Sequence, residues 1–264
     1  MKNDTLKLIC CPECGSSLSV KIPAIRLNGY EKYLLCSKCG IVFSVEEGMP
    51  GLLIKDEVQK FSRRMEFIRS TYARYYDFLT RLMFVPCGGD DSARHEVLDR
   101  LNIPENALIL ETGIGTGDNL PHIVKRVRTC RFFGIDNQQI MLEKCRKKLN
   151  QQHICAELLL ANAEKLPFRD HVFDVVFHLG AINIFNDKKR AIMEMIRVAK
   201  EGSKIVIADE SEKAGRLFNI FIGKQPEIRP PIDLIPPAML DVRLDTIWNG
   251  YGYVIEFRTP PVSR

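Results

Sequence analysis

Two pairs of cysteines near the N-terminus have a spacing that is typical of metal sites. Cys11 and Cys14 lie in the stretch CPEC, Cys36 and Cys39 lie in CSKC, and 21 residues separate the pairs. Four thiolates on two short turns surround one tetrahedral zinc ion in proteins of this pattern. A segment of about 55 residues buries too little apolar surface to fold alone, so zinc would supply the missing folding energy. Cys10 is the spare thiol of this pattern.

A second stretch with chemical potential is ALILETGIGTGDNL, which occupies residues 107–120. An apolar run ends at Glu111, and Gly113, Gly115 and Gly117 follow. Such a backbone turns tightly and approaches a ligand that side chains would block. Asp136 ends the next apolar run, 19 residues beyond Gly117. A carboxylate at that position accepts both ribose hydroxyls of an adenosine cofactor.

Charge distinguishes between two adenosine cofactors that fit such a loop. A nicotinamide dinucleotide places a doubly anionic pyrophosphate on the helix that follows the loop, where acidic neighbours are unfavourable. Here Glu111 precedes the loop and Asp118 follows it. Two carboxylates suit a ligand with an ammonium and a sulfonium group, which favours S-adenosyl-L-methionine (SAM) over the dinucleotide.

The elements that position these residues follow from the pattern of apolar runs. Of the 264 residues, 45% are hydrophobic and 27% are charged, as in an ordinary globular protein with a large core. From residue 107 onward, five short runs alternate with expected helices: ALILET, CRFFGID, AELLLANA, FDVVFHLG and SKIVIADE. This alternation predicts an α/β fold with a parallel sheet covered on both faces.

Four further segments complete this outline. Residues 57–84 have apolar side chains at helical spacing and no Gly or Pro, which predicts one long helix or two. The stretch DSARHEVLDRLNI predicts a helix capped by Asp91 or Ser92. The proline-rich residues 224–239 predict a stiff loop across the mouth of the site, and LDTIWNGYGYVIEFRTP predicts an antiparallel hairpin at the sheet edge.

Five stretches, in order, resemble the successive motifs of class I SAM-dependent methyltransferases: ILETGIGTG, GIDNQQIML, ANAEKLPF, FDVVFHLGAINIFND and MIRVAKEGSKIVIADES. Within that superfamily they are most similar to the branch that contains the ubiquinone and menaquinone biosynthesis C-methyltransferases. The resemblance covers about residues 60–210. It implies a Rossmann-like sheet of seven strands, and transfer of a methyl group from SAM to a small, apolar or aromatic metabolite.

The same resemblance implies which residues bind the cofactor. The amino-acid end would lie at the glycine loop, the ribose at the second run, the adenine at the third and the methionine portion at the fourth. In chain order the implied residues are Glu111, Gly113, Gly115, Gly117, Asp136, Asn137, Asn162, Ala163, His178 and Leu179. The family usually has Asp where this chain has Asn162, whose amide both donates and accepts hydrogen bonds.

Two side chains are candidates for a catalytic role. His178, after the fourth run, is a candidate general base for the acceptor's proton, and packing against the cofactor is its competing role. Asp209, with Glu210 beside it, ends the fifth run, where substrates bind in open α/β sheets. A helix cap or a surface pair is the competing interpretation of these two acids.

The cysteine segment also resembles the small zinc-ribbon proteins that activate methyltransferases by docking on them, on the residues LLCSKCGIVFSVEEGMPGLL. This resemblance implies an activator-like module fused in cis, and possible contact with a partner protein through the ribbon. Ribosomal RNA guanine-N1 methyltransferases also place a zinc module before such a domain. The zinc module and the basic residues of 125–131 and 144–148 make an rRNA base the alternative substrate. The net charge of only +5 is modest for a protein that binds RNA. A non-catalytic cofactor-binding protein is the third alternative.

The sequence therefore predicts two domains, a zinc ribbon over residues 1–55 and a SAM-dependent methyltransferase domain over residues 56–264. The N-terminus has no charged segment followed by an apolar run, and we find no apolar stretch of about 18 residues. We therefore expect a soluble, cytoplasmic enzyme with zinc and SAM as cofactors. The sequence leaves the number of subunits open.

Overall fold

The computed structural model describes residues 3–22, 32–54, 80–215 and 228–261. Its helices are α1 (Asn3–Leu8), α2 (Asp90–Leu98), α3 (Leu120–Arg126), α4 (Gln139–Gln151) and α5 (Lys188–Val198). Its strands are β1 (Leu18–Lys21), β2 (Lys32–Cys36), β3 (Val42–Glu46), β4 (Met49–Pro50), β5 (Ala107–Thr112), β6 (Cys130–Asp136), β7 (Glu157–Leu160), β8 (Phe173–Leu179), β9 (Ala199–Glu210), β10 (Leu240–Ile247) and β11 (Gly252–Arg258). Among these helices, none has the length and apolar character needed to cross a membrane.

The larger sheet has seven strands in the order β10-β11-β9-β8-β5-β6-β7. The five strands from β5 to β9 run parallel to their neighbours, as the alternating pattern predicts. The final hairpin adds β11 antiparallel to β9 and leaves β10 at the edge. Trp248 and Asn249, both with φ of 55°, form its turn. The predicted fold class is confirmed.

The central strands are apolar along their whole length because each faces a packed layer on both sides. One layer contains α2, α3 and α4, which pack on alternate strand residues such as Ile109 and Val206. The other contains α5, which packs on the intervening residues such as Leu110 and Ile207. The cysteine segment belongs to this second layer, where Ile9 and Leu52 join the same core.

The cysteine segment forms its own four-stranded antiparallel sheet in the order β1-β2-β3-β4. It docks on the larger sheet through backbone hydrogen bonds at two places. Leu52 donates its amide to the carbonyl oxygen of Leu160 at 2.7 Å, beside a parallel bridge from Gly51 to β7. Cys10 donates its amide to Pro167 at 3.0 Å, beside an antiparallel bridge between Ile9 and Phe168. Since β7 is the outer strand of the larger sheet, the ribbon covers an otherwise exposed edge.

The helix expected between the third and fourth apolar runs is absent from residues 161–172, all of which the structure describes. Two backbone carbonyl groups there are satisfied by a side chain and not by helical hydrogen bonds. The guanidinium of Arg197 donates to the carbonyl oxygens of Leu166 and Phe168 at 3.0 and 2.7 Å. The amide of Cys10 satisfies the intervening carbonyl of Pro167. A proline in this stretch also removes one helical donor.

Two other predictions need correction or lie outside the described residues. The N-cap of α2 is Gly89, not Asp91 or Ser92, because Asp90 already belongs to the helix and its carboxylate accepts from Arg94. The predicted helix over 57–84 lies largely in residues 55–79, outside the described ranges, as does the boundary between residues 55 and 56. That domain boundary stays a prediction.

Candidate active site

A cavity of about 110 Å³ opens where the carboxyl ends of β5, β8 and β9 meet on the side of α2 and α3. This is the edge of an open parallel sheet where ligands bind. Its walls come from the glycine loop after β5, the ends of β8 and β9, the segment before α2 and the turn of the final hairpin. The lining residues are Thr80, Met83, Phe84, Pro86, Cys87, Arg94, Glu111, Gly113, Ile114, Thr116, Asp118, Asn119, Leu179, Gly180, Glu210, Ala214, Trp248 and Tyr251.

Glu111 places a buried carboxylate in the wall of this cavity. Its residue surface is only 1% exposed, and its Oε1 accepts from Asn119 Nδ2 at 2.5 Å. Its Oε2 has no hydrogen-bond partner among the described residues. Burial raises the pKa of this carboxyl to about 8, although the hydrogen bond from Asn119 and the charge of Arg94 act in the opposite direction. A buried carboxylate oxygen without a partner fits a cationic ligand group.

The loop after Glu111 has glycines where side chains would not fit. Gly113 has φ of 72°, and a Cβ there would lie 3.1 Å from Cε1 of His178. Gly117 has φ of 79°, and a Cβ there would lie 2.6 Å from the sulfur of Cys145. Both positions therefore need glycine for the backbone angle and for space. Gly113 lines the cavity, so a ligand meets bare backbone at this point.

Asp136 closes the loop from the neighbouring strand. Its carboxylate accepts from the amides of Gly115 at 3.0 Å and Gln138 at 2.8 Å, and it is 9% exposed. Asn137 beside it is exposed. These two residues lie next to the glycine loop but do not line the cavity, so their contact with a ribose stays a prediction.

Asn162 and Ala163 lie on the far side of β6, between the large sheet and the ribbon. The Asn162 side chain accepts from the amide of Glu164 at 2.9 Å, which fixes a turn. Ala163 is buried in the core that the ribbon shares. Neither residue lines the cavity, and their predicted contact with adenine is likewise not tested by this geometry.

His178 is fully buried beneath the glycine loop and has both ring nitrogens engaged. Nδ1 lies 2.6 Å from the carbonyl oxygen of Thr112, and Nε2 accepts from the amide of Ala181 at 2.9 Å. Burial lowers its pKa to about 4. A ring with no free lone pair, outside the cavity lining, does not fit the general base predicted for His178. The ring supports the loop at Gly113, and its predicted packing against the cofactor stays a prediction.

The two acids that end β9 separate to opposite faces of the sheet. Asp209 is fully buried and accepts from the amides of Asn183 and Glu210, both at 2.8 Å. Burial raises its pKa well above the usual range. Glu210 lines the cavity. The catalytic role predicted for Asp209 therefore does not fit its position, because successive strand residues point to opposite faces and the cavity lies on the face of Glu210.

Asp118 contributes less negative charge to the cavity than the sequence indicates. Its carboxylate forms an ion pair with Lys148 and lies 3.5 Å from a terminal nitrogen of Arg94. Glu111 is therefore the acid that carries the argument for a cationic ligand. Arg94 and Asn119, which flank it, are site residues that the sequence does not reveal, because they meet only when α2 packs beside α3.

The other end of the cavity is apolar and aromatic. Phe84 and Trp248 pack edge to face with ring centroids 5.1 Å apart, and the Trp248 indole donates to the carbonyl oxygen of Ala93 at 2.9 Å. Tyr251 and Met83 complete this wall. These residues form a surface for a flat, apolar group next to the Glu111 end. The described part of the proline-rich segment, residues 228–239, does not line the cavity, and Ile232 and Leu234 pack on the opposite core.

The four cysteine sulfurs of the ribbon come together as the spacing predicts. Cys11 and Cys39 lie 3.6 Å apart and Cys14 and Cys36 lie 3.4 Å apart, with all four sulfurs within 4.8 Å of one another. A tetrahedral zinc ion with Zn–S bonds of about 2.3 Å holds its sulfurs roughly 3.8 Å apart. The donor set therefore fits zinc, and Cys10 is outside the cluster.

The chain combines a seven-stranded α/β sheet, a cavity at its carboxyl end and a four-cysteine ribbon. Residues 110–207 match the family described as methyltransferase domain. The chain is 26% identical over 156 residues to a demethylmenaquinone methyltransferase of Lactiplantibacillus plantarum, covering 58% of this chain and 65% of the relative. It is 33% identical over 103 residues to a phosphatidylethanolamine N-methyltransferase of Cereibacter sphaeroides, covering 38% of this chain and 49% of the relative. The chain thus spans less than two thirds of these relatives.

Solved structures agree on the fold. A chain in the complex that contains the Haloferax volcanii Trm112 methyltransferase activator aligns with a TM-score of 0.61 at 17% identity, covering 77% of this chain and all of that chain. Phosphoethanolamine N-methyltransferase 2 of Haemonchus contortus aligns with a TM-score of 0.55 at 13% identity, covering 66% of this chain and 53% of that chain. The match over residues 110–207 and the shared fold make this part of the chain similar to methyltransferase domains.

Proposed function

We propose that this chain transfers a methyl group from SAM to a small, apolar or aromatic metabolite. The observation that carries the proposal is the unpartnered, buried Oε2 of Glu111 in the wall of a cavity bordered by a glycine loop. Glu111 would bind the ammonium group of the donor, and the bare backbone at Gly113 would let its methionine portion approach. Bound SAM supplies a methyl group already activated by positive sulfur, so the chain's main task is alignment, which lowers a barrier by about 7 to 11 kcal/mol at best.

The aromatic end of the cavity supports the acceptor class. Phe84 and Trp248 are 9% and 3% exposed, so they present a preformed apolar wall that needs little reordering on binding. The names of the demethylmenaquinone methyltransferase relatives are consistent with such an acceptor. We place the acceptor between this wall and Glu210, where the acceptor atom can face the methyl group.

No described contact favours RNA as the substrate. Within the basic runs, Arg126 pairs with Asp99 at 2.8 Å, and Arg146 and Lys148 pair with Glu47 and Asp118. These pairs reduce the positive charge that a phosphate backbone would meet. Methylation of RNA is therefore the outcome that the labelling experiment must exclude.

The experiment combines cofactor binding with labelling of a cell extract. Calorimetry should show uptake of S-adenosylhomocysteine and no uptake of NAD. With labelled SAM, the label should appear in the small-molecule fraction of the extract and not in the nucleic acids. Tight binding of NAD alone would contradict the cofactor proposal, and label found only in RNA would contradict the acceptor proposal.

We also propose that the four cysteines bind zinc and that the ribbon serves as a built-in counterpart of a separate activator protein. Support comes from the sulfur distances and from the docking of the ribbon on β7 and residues 167–168. A chain of the Trm112 activator complex is among the proteins of similar fold. The side of the ribbon that faces β7 and residues 167–168 is therefore occupied in cis, which leaves its outer side for any additional partner.

Glu210 gives a prediction about proton removal from the acceptor. Glu210→Gln keeps the shape of the side chain but removes the carboxylate that would take the acceptor's proton as the methyl group is transferred. We expect the transfer rate on the labelled small-molecule fraction to fall about 100-fold. The affinity for S-adenosylhomocysteine should stay unchanged, because Glu210 lies beyond the donor end of the cavity.

The matched control for this prediction is Glu212→Gln, which makes the same change at an exposed residue outside the cavity lining. It should transfer the methyl group at the unmodified rate. A Glu210→Gln rate equal to that of the control would show that the acceptor needs no base at this position.

A further inference from the structure

Three buried side chains form a continuous relay from α2 to the end of β5. An NH1 hydrogen of Arg94 bonds to Asn119 Oδ1 at 2.6 Å, and Asn119 Nδ2 donates to Glu111 Oε1 at 2.5 Å. Arg94 and Asn119 are each 4% exposed and Glu111 is 1% exposed. Since the guanidinium only donates, it fixes the Asn119 oxygen on its own side and turns the amide nitrogen towards Glu111.

This relay decides which oxygen of Glu111 faces the ligand. Because Oε1 is held by Asn119, Oε2 is the atom left without a partner in the cavity wall. The buried Arg94 guanidinium also brings a positive charge close to Glu111, and Arg94 itself lines the cavity. It is anchored on its own helix by a hydrogen bond from Nε to Asp90 at 2.9 Å.

We infer that Arg94 is a positioning residue that acts through Asn119 to orient Glu111 Oε2 towards the amino-acid end of the donor. The inference rests on the proposed function, because it needs the donor's ammonium group at Glu111. It goes beyond the glycine-loop motif, since Arg94 lies on a helix that precedes the motif in the chain.

The charges around Glu111 come from every element packed against it. Burial raises its pKa to about 8, Asn119 and Arg94 lower it, and Asp118 and Asp136 raise it. Cys145 and Lys148 on α4 and His178 on β8 complete the nearby titratable groups. Loss of the Arg94 charge should therefore move the ionisation of Glu111 to higher pH. The pH at which the donor binds tightly should rise by the same amount, since the ammonium group binds the ionised carboxylate.

The experiment measures two ligands against pH in the full-length protein. S-adenosylhomocysteine carries the amino-acid end, and 5′-methylthioadenosine lacks it. In Arg94→Met we expect the affinity for S-adenosylhomocysteine to fall about 10-fold or more at pH 7, and the midpoint of its pH dependence to move upward. The affinity for 5′-methylthioadenosine should stay within about two-fold, because that ligand makes no contact with Glu111.

Two further variants make the test independent of a folding defect. Arg94→Lys keeps the positive charge and should keep the pH midpoint while losing part of the affinity. Asn119→Ala breaks the relay but leaves Arg94 on Asp90, and it should reproduce the selective loss of S-adenosylhomocysteine binding. An equal loss of both ligands in Arg94→Met and in Asn119→Ala would mean that the relay only supports the fold, and would overturn the inference. If the unmodified protein binds neither ligand, the proposed function itself fails.

Discussion

Glu111→Gln is expected to stabilise the ligand-free protein and, at the same time, to remove most of its affinity for the methyl donor. The glutamine has nearly the same shape, and its oxygen can still accept from Asn119. It has no charge to desolvate, so the unfavourable burial of a carboxylate disappears. It also has no charge with which to bind an ammonium group.

The stability effect depends on pH in a defined direction. The pKa of Glu111 is about 8 in the folded protein and 4.5 as an ordinary glutamate. Between these values the folded state binds more protons than the unfolded state, so the stability of the unmodified protein falls as pH rises through this window. The increase in the free energy of unfolding that Glu111→Gln gives is therefore nil below about pH 4.5, and it grows with pH up to about pH 8. At pH 7 it amounts to at most about 3 kcal/mol in the free energy of unfolding.

The loss of binding free energy should be similar in size to this gain. Removing one partner of a buried charge pair costs about 2 to 5 kcal/mol, so the affinity for S-adenosylhomocysteine should fall on the order of 100-fold. Thermal unfolding at pH 5 and pH 8, with calorimetric titration at pH 8, measures both effects. Glu143→Gln, an exposed position on α4, serves as the matched control. Equal melting temperatures for Glu111→Gln and the control at pH 8 would contradict the assignment of a destabilising buried carboxylate.

Strand parity decides which polar residues at the strand ends line the cavity. A central parallel strand is apolar on both faces, so its sequence does not show which residues face the cavity. The structure places Glu111 and Glu210 on the face that packs against α2 and α3, and places His178 and Asp209 on the α5 face. The glycine loop reveals Glu111 because the loop must follow it directly. Nothing in the local pattern distinguishes Asp209 from Glu210.

Local spacing predicts elements better than it predicts contacts between them. The cysteine spacing was sufficient to predict a four-sulfur cluster, and the alternating runs were sufficient to predict the order of parallel strands. The relay from Arg94 to Asn119 joins residues 25 positions apart on two helices, so it depends on how those helices pack. The docking of the ribbon depends on backbone groups of Leu160 and Pro167, which any residue type can provide.

If the four cysteines bind zinc as we propose, its removal is expected to weaken cofactor binding as well as stability. The cluster holds the turns that contain Cys11 and Cys36, and both residues belong to the core shared with the large sheet. Binding energies of about 10 to 16 kcal/mol for structural zinc in small domains mean that the ribbon would unfold without the ion. Unfolding would expose Ile9 and Leu52, which are 0% and 1% exposed.

The ribbon contacts the predicted adenine region through the end of β7 and the segment that follows it. The carbonyl groups at Leu160 and Pro167 accept from ribbon amides, and Arg169 donates its amide to Leu8 at 2.9 Å and a side-chain hydrogen bond to Ser17 at 2.8 Å. Asn162 and Ala163, the predicted adenine contacts, lie between Leu160 and Pro167 in the chain. A disordered ribbon would leave these residues without their support, so the affinity for both S-adenosylhomocysteine and 5′-methylthioadenosine should fall. This equal loss differs from the selective loss expected at Arg94.

Cys36→Ser tests this link without a chelator. We expect about one zinc ion per chain in the unmodified protein and almost none in the variant. Loss of the ribbon's support, about 3 to 5 kcal/mol, corresponds to a fall in melting temperature of roughly 10 °C. Cys155→Ser makes the same chemical change at an exposed thiol outside the cluster and should leave metal content, melting temperature and affinity unchanged. If Cys36→Ser loses its zinc but binds both adenosine ligands as tightly as the control does, then the ribbon does not support the adenine end of the site, and its docking serves stability alone.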